Sequence, residues 1–113
     1  MSGLTTHVLD LSLGRPARGL VVRLSRPAAS GGWIQVAERV TDDDGRVREF
    51  FDGAGLESGR YLLTFATGDY FRALGAKAFY PEVPVVIDVS DPAQRLHVPL
   101  LLSPFGYSTY RGS

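Results

Sequence analysis

The chain has 113 residues, 12 basic and 12 acidic side chains, no formal net charge and no cysteine. This length predicts one domain, residues 1–113, and the lack of cysteine excludes disulfides, thiolate metal sites and cysteine nucleophiles. No basic run is suited to a phosphate backbone and no segment has the pattern of a signal peptide or a bilayer span, so we expect a soluble cytoplasmic protein with no nucleic-acid or membrane partner.

Short segments with alternating apolar residues follow one another along the chain, separated by turn residues. The predicted strands cover residues 5–11, 20–25, 33–40, 46–50, 59–67, 83–89, 96–102 and 106–111. One short helix is predicted at about residues 69–74, with Gly75 placed to end it. About eight strands and one helix predict an all-β fold, a two-sheet antiparallel β-sandwich.

The acidic run Asp42-Asp43-Asp44-Gly45 superficially resembles a calcium-binding loop. Such a loop needs oxygen ligands at its first and last positions, where this chain has Val40 and Phe51. We therefore expect a hairpin turn between the strands at 33–40 and 46–50. Two histidines without a third ligand do not define a zinc site either, so no metal is expected.

The predicted strand at 96–102 indicates which way its histidine points. Its even-numbered residues are all aliphatic and predict the core face, so His97 points outward together with Pro99 and Leu101. An apolar outward face is more typical of an interface than of free surface. Since Pro99 has no N–H to donate, we expect this strand to be irregular there or to lie at a sheet edge.

His7 is the only other histidine, and its neighbours leave open which face of its strand it occupies. A subunit interface could gather His7 and His97 into one pocket, where imidazole suits general-base activation of water. A neighbouring cation would keep the imidazole neutral, although sequence spacing does not choose among the arginines. Each histidine alone could equally be an ordinary packed or solvent-facing side chain. The residues by themselves thus predict a β-sandwich with a candidate histidine site.

Three motifs resemble those of the transthyretin-related 5-hydroxyisourate hydrolases. They are Leu-Thr-Thr-His-Val-Leu-Asp at residues 4–10, Asp-Gly-Arg at 44–46, and the C-terminal run 97–113, which closes on Tyr-Arg-Gly-Ser. The resemblance extends nearly from end to end and is most specific in its last third. The hormone carrier transthyretin shares the fold and part of the C-terminal run but lacks the histidines, the arginine and the final tetrapeptide. The resemblance therefore favours the enzymes over the carrier.

This resemblance implies a transthyretin-like homotetramer, a dimer of dimers, that acts in urate degradation. The implied reaction opens 5-hydroxyisourate to 2-oxo-4-hydroxy-4-carboxy-5-ureidoimidazoline, with no metal or organic cofactor. It implies His7, Arg46 and His97 as catalytic residues, with histidine-activated water and arginine stabilisation of the developing charge. His7, Arg46, Tyr110 and Ser113 are implied to bind the substrate. Which histidine is the base, the order of proton transfers and association with a downstream decarboxylase remain open.

The sequence departs from the family pattern at one triplet. The family often has His-Tyr-His before its Val/Ile-Pro-Leu-Leu-Leu motif, whereas this chain has Arg95-Leu96-His97 before the corresponding residues 98–102. The histidine that the family implicates in catalysis is retained. The change therefore puts in question only the local packing or the tuning of the site.

The sequence also allows two alternatives to an enzyme. One is a non-enzymatic module that binds an aromatic ligand in the same channel, and the other is a structural domain whose apolar faces serve only assembly. Arg46 and the two histidines argue against a carrier for apolar rings. Without the resemblance, Arg46 could be a solvated arginine and Tyr110 a packed aromatic residue of the last strand.

Overall fold

Alternating apolar residues form two β-sheets that pack face to face. The computed structural model describes residues 3–51 and 56–113. Within these ranges the strands are β1 (Gly3–Asp10), β2 (Arg15–Pro16), β3 (Val21–Pro27), β4 (Trp33–Val40), β5 (Arg46–Val47), β6 (Gly59–Phe65), β7 (Val83–Val89), β8 (Arg95–Ser103) and β9 (Gly106–Thr109). The helix α1 covers Thr67–Ala73.

The two sheets have different strand orders. The first runs β2-β1-β8-β9, with β5 also paired to β1, and the second runs β4-β3-β6-β7. The pairing of β1 with β8 is parallel, and the other strand pairings are antiparallel. The predicted two-sheet sandwich with one short helix is thus confirmed. The sequence did not reveal the two-residue strand β2 or the parallel pair.

Side chains from both sheets fill the space between them. In the second sheet, Val22 of β3 lies opposite Phe65 of β6, and Leu24 lies opposite Leu63. All four side chains are completely buried. Burying a large aliphatic or aromatic side chain contributes about 1.5–3 kcal/mol. These side chains form one core with apolar side chains of the first sheet, such as Val8.

Burial alternates strictly along β1. Leu4, Thr6, Val8 and Asp10 are buried, and the residues between them are half-buried. Side chains of a strand alternate between its two faces, so His7 lies on the outer face of the first sheet. The structure therefore answers the question that the sequence left open.

Pro99 lies in the middle of β8, which is not an edge strand, but the pairing on the β9 side is interrupted there, so of the two predicted alternatives the irregular stretch is the one observed. β8 pairs with β1 on one side and β9 on the other. The carbonyl oxygen of Pro99 accepts a hydrogen bond from Thr109 Oγ1 over 2.7 Å, which places the missing N–H on the β9 side. The ladder with β9 begins only at Leu100, so the proline interrupts no bond to β1.

The turn at residues 42–45 is tight but does not form the predicted hairpin. Its flanking strands, β4 and β5, lie in different sheets. Asp42 Oδ1 accepts hydrogen bonds of 2.9 Å from the backbone N–H groups of Asp44 and Arg46. The aspartate thus closes a turn that carries the chain from the second sheet to the first.

The predicted helix is confirmed, with its start two residues earlier than expected. It buries Phe71, and Gly75 follows its end with φ of 76°. A left-handed residue at this position is typical of helix ends, and glycine adopts it without strain. Among the described residues, no helix is long and apolar enough to cross a membrane.

Candidate active site

Three strands of the first sheet bring two histidines and an arginine together on its outer face. His7 of β1 lies opposite Arg46 of β5, and Thr5 of β1 lies opposite His97 of β8. Because Thr5 and His7 are alternate residues of one strand, all four side chains project from the same side of the sheet. The structure thus places His7, Arg46 and His97, the three residues predicted to be catalytic, next to one another.

His97 is held at its ring and at its backbone. Thr5 Oγ1 lies 2.7 Å from Nδ1 of the ring. The backbone N–H of Gly112 donates to the His97 carbonyl oxygen over 2.8 Å, so the C-terminal tail continues along β8 past the end of β9. Thr5 lies in the motif at residues 4–10, but the motif alone assigns it no role.

The tail also packs directly against the His97 ring. A Cβ atom at Gly112 would lie 2.6 Å from Cδ2 of His97 and 3.2 Å from Cγ of Pro99. The first distance is too short for a non-bonded carbon pair, so any side chain at this position would displace the ring. Gly112 belongs to the C-terminal tetrapeptide Tyr-Arg-Gly-Ser, and the structure supplies a steric reason for a glycine there.

Arg46 is positioned by the turn before it. Its backbone N–H is bound to Asp42, and the carbonyl oxygen of Gly45 accepts a 2.7 Å hydrogen bond from the N–H of Val8 in β1. Gly45 has φ of 74°, a conformation that favours glycine. Among the described residues, the Arg46 guanidinium has no hydrogen-bond or ion-pair partner. Its charge is therefore available to a ligand.

The surroundings of both histidines favour the neutral ring. Burial lowers the pKa of His97, and the neighbouring Arg46 and His7 lower it further. Burial, followed by Arg46, also lowers the pKa of His7, against opposing contributions from a hydrogen bond to the Asp44 backbone and from the charges of Asp42 and Asp44. The pKa of each ring is thus lowered from the ordinary 6.5, which favours the neutral form at neutral pH.

Tyr110 and Ser113, the other two predicted substrate-binding residues, lie at the margin of this group. Tyr110 is 57% exposed and lines, with His97, a cavity of about 330 Å³ beside β8. Ser113 is exposed and follows Gly112 directly. Within the described parts of the chain, neither side chain forms a hydrogen bond to His7, Arg46 or His97.

The arrangement provides the elements of hydrolysis of a polar carbonyl compound. A neutral imidazole can take a proton from water, and an adjacent guanidinium can stabilise negative charge on oxygen. Among residues 3–51 and 56–113, no group of three histidine or carboxylate side chains is arranged to hold a metal ion.

Comparison with known proteins places these features in a family. Residues 4–112 match the profile of the HIUase/Transthyretin family. The 5-hydroxyisourate hydrolase of Caulobacter vibrioides is 52% identical over 118 residues, with both chains covered completely. The structure of Klebsiella pneumoniae 5-hydroxyisourate hydrolase superposes with a TM-score of 0.87 at 39% identity, covering 99% of this chain and 100% of the other. Sea bream transthyretin in complex with thyroxine gives a TM-score of 0.90 at 32% identity, with 97% and 94% covered.

Proposed function

The chain belongs to the HIUase/Transthyretin family, and on that premise we propose that it is an enzyme that hydrolyses 5-hydroxyisourate. The observation that carries this proposal is the group formed by His7, Arg46 and His97 on one face of the first sheet. The relatives from Caulobacter vibrioides and Klebsiella pneumoniae, which match this chain over nearly its full length, are 5-hydroxyisourate hydrolases, which agrees with the chemistry of that group. A site with two neutral histidines and an arginine whose charge is available suits hydrolysis better than the storage of an apolar ring.

His97 acts as the base in this proposal. The Thr5 hydroxyl can direct its one proton to the carbonyl oxygen of Leu96, 3.4 Å away, while its oxygen accepts from Nδ1–H of His97 at 2.7 Å. This pattern leaves the lone pair of Nε2 free to accept a proton from water. His7 assists by orienting the same water molecule, and Thr5 is a positioning residue that acts through His97.

Arg46 stabilises the charge that develops during attack. As the water oxygen bonds to the ring carbonyl carbon, negative charge collects on the carbonyl oxygen. A guanidinium beside that oxygen lowers the energy of this state. The backbone bonds of the turn at residues 42–45 fix the backbone of Arg46 opposite His7, and its guanidinium reaches the oxygen from there.

The remaining steps break the ring and return the proton that His97 took from water. The amide C–N bond of the six-membered ring breaks, and the imidazolium of His97 returns its proton to the leaving nitrogen. The new carboxylic acid then loses its proton to solvent, because a carboxyl group is ionised at neutral pH. The product is 2-oxo-4-hydroxy-4-carboxy-5-ureidoimidazoline, and Tyr110 and Ser113 contact the bound ring from the tail.

We also propose that the chain assembles as a homotetramer, a dimer of dimers, in which the outer face of the first sheet lines a channel. Leu11 and Phe105 are 59% and 73% exposed. The N–H of Leu11 donates to the carbonyl oxygen of Leu102, so the loop after β1 lies beside the end of β8. Exposed apolar side chains gathered at one end of a sheet are typical of an interface. Sedimentation velocity measures this assembly directly.

The test of function is the decay of 5-hydroxyisourate produced in place by urate oxidase. We expect this protein to accelerate the decay and the variant His97→Asn to lose the acceleration. If the folded protein leaves the decay unchanged, the hydrolase proposal is wrong. Binding of an aromatic ligand such as thyroxine would then be measured, as the carrier alternative requires.

A further inference from the structure

A second cavity opens beside the group formed by His7, Arg46 and His97. Its volume is about 210 Å³, and its lining includes three arginines, Arg46, Arg48 and Arg95, together with Thr5, Thr6 and Val47. We call it the arginine pocket. It shares Arg46 and Thr5 with the proposed active site, so a ligand bound near His97 can extend into it.

Arg95 faces this pocket because of its place in β8. It precedes His97 by two residues, so both side chains project from the outer face of the first sheet. Gly3 of β1 lies opposite Arg95, and a Cβ atom there would meet nothing within 4 Å. Glycine thus places no side chain on β1 opposite Arg95.

The charges of the three arginines are not equally compensated. Arg48 forms ion pairs of 3.3 Å with Asp42 and 3.1 Å with Asp44. Within the described residues, neither Arg46 nor Arg95 has an ion-pair or hydrogen-bond partner for its guanidinium. Two uncompensated positive charges thus border one small polar cavity.

We infer that Arg95 and Arg46 form a carboxylate-binding subsite in the arginine pocket, which holds the carboxylate that ring opening creates. A guanidinium offers a planar set of donors that matches both oxygens of a carboxylate. The substrate ring has no carboxylate, so the subsite binds the product more strongly than the substrate and makes Arg95 a determinant of product affinity. This inference rests on the proposed function only for the identity of the anion.

The experiment measures anion binding directly, by titration calorimetry on the intact protein at low salt. The probe is allantoate, a stable carboxylate that carries ureido groups, and its uncharged cyclic counterpart allantoin is the neutral comparison. The variants are Arg95→Gln, which removes the charge, and Arg95→Lys, which keeps it. Arg60→Gln in β6, on the other sheet, is the matched control.

We expect Arg95→Gln to weaken allantoate binding about two- to fivefold, the range typical of a solvent-accessible charge pair. Arg95→Lys should recover part of the loss, Arg60→Gln should bind as the wild type does, and allantoin binding should be the same in all four proteins. The difference between wild type and Arg95→Gln should shrink as salt is added.

Two results would overturn the inference. One is allantoate binding that Arg95→Gln leaves unchanged, and the other is an equal loss of allantoin binding, which would indicate a distorted pocket. The hydrolase proposal fails separately, when the wild type does not accelerate the decay of 5-hydroxyisourate. Since calorimetry needs no turnover, the binding result decides the role of Arg95 in either case.

Discussion

Thr5 and His97 lie opposite each other in the parallel pair β1 and β8, and the threonine Oγ1 is 2.7 Å from Nδ1 of the imidazole ring. Ninety-two positions separate the two residues in the chain. The contact therefore exists only when the first and last thirds of the sequence have paired correctly. The orientation of His97, the proposed base, thus depends on the pairing of β1 with β8.

Replacing Thr5 with valine tests this contact. Valine keeps the shape but cannot accept from Nδ1–H, so the preference for the tautomer with a free Nε2 is lost. Loss of one hydrogen bond should lower kcat about two- to tenfold, and Thr5→Ser should restore most of it. Nitrogen-15 NMR of His97 reports which ring nitrogen carries the proton. Thr64→Val in β6 is the control, and an unchanged tautomer in Thr5→Val would contradict the assignment.

His97→Asn removes the proposed base. A positioned general base contributes about a hundred- to ten-thousandfold in rate, so the barrier should rise by roughly 3–5 kcal/mol. Asparagine remains polar and compact, so the thermal unfolding midpoint and the sedimentation coefficient should stay close to those of the wild type. Stopped-flow absorbance of 5-hydroxyisourate measures the rate. A near-normal rate in the folded variant would remove His97 from the mechanism.

Gly112→Ala should disturb the site without removing any functional group. Its Cβ atom would press on Cδ2 of His97, which must shift to make room. Misplacing a catalytic group can lower a rate by up to about a hundredfold, so we expect a loss of about ten- to a hundredfold in kcat. Gly106→Ala is the control, since its Cβ would meet only Ser103 Oγ at 3.8 Å. Equal kcat values for the two variants would show that the tail does not position the ring.

A stability prediction concerns the hydrogen bond from Tyr70 to Asp10. The Tyr70 hydroxyl donates to Asp10 Oδ2 over 2.7 Å, and Asp10 is only 1% exposed. A hydrogen bond to a charged group contributes about 1.5–3 kcal/mol, so Tyr70→Phe should lower the free energy of unfolding by that amount in urea denaturation. Tyr80→Phe is the matched control. Equal stability of Tyr70→Phe and the wild type at neutral pH would contradict the prediction.

The same pair predicts a pH dependence. Burial opposes ionisation of Asp10, but hydrogen bonds from Ser12, Tyr70 and Leu13 lower its pKa below the ordinary 3.8. The folded state therefore favours the ionised form, and this stabilisation is present above pH 3.8 and disappears as the pH falls through the lowered value. The stability difference between wild type and Tyr70→Phe should accordingly narrow below that pH.

Local alternation in the sequence was enough to predict the sandwich and the outward direction of His97. It was not enough for His7, because Thr6 and Asp10 occupy core positions of β1 and hide the apolar pattern. Thr6 is accommodated there because its hydroxyl donates to the Val98 carbonyl oxygen over 2.5 Å. A polar residue that is satisfied by a distant partner cannot be recognised as a core residue from its neighbours alone.

The pairing of strands was equally invisible from the sequence. Nothing local to β1 indicates that β8 lies beside it in parallel, so the contacts of Thr5 and Gly112 with His97 could not be predicted. The turn at residues 42–45 was predicted, but not that it joins the two sheets and thereby places Arg46 opposite His7. The residues of the candidate site could be named only through the family resemblance, because the pattern of this sequence does not choose among its arginines, and their supporting contacts depend on the long-range topology.

Arg46→Gln should change the pH dependence of the reaction as well as its rate. His97 must be neutral to act as a base, so kcat/KM should fall only as the pH drops through its lowered pKa, below 6.5. Burial is the main cause of that shift and Arg46 the next, so removing the cation should raise the pKa of His97 toward 6.5 without restoring it fully. The acidic limb of the profile should therefore move to higher pH.

The maximal rate of Arg46→Gln should also fall, by about a hundred- to a thousandfold if the guanidinium stabilises the oxyanion as proposed. Titration of the His97 ring by NMR gives its pKa independently of turnover. Arg23→Gln is the control. Arg23 lies in the second sheet, where it pairs with Glu38 at 3.0 Å, so this variant should leave the acidic limb at the wild-type pH. Removing a nearby positive charge makes protonation of the His97 ring easier and should raise its pKa. If the acidic limb of the Arg46→Gln profile stays fixed or moves to lower pH, Arg46 does not keep His97 neutral.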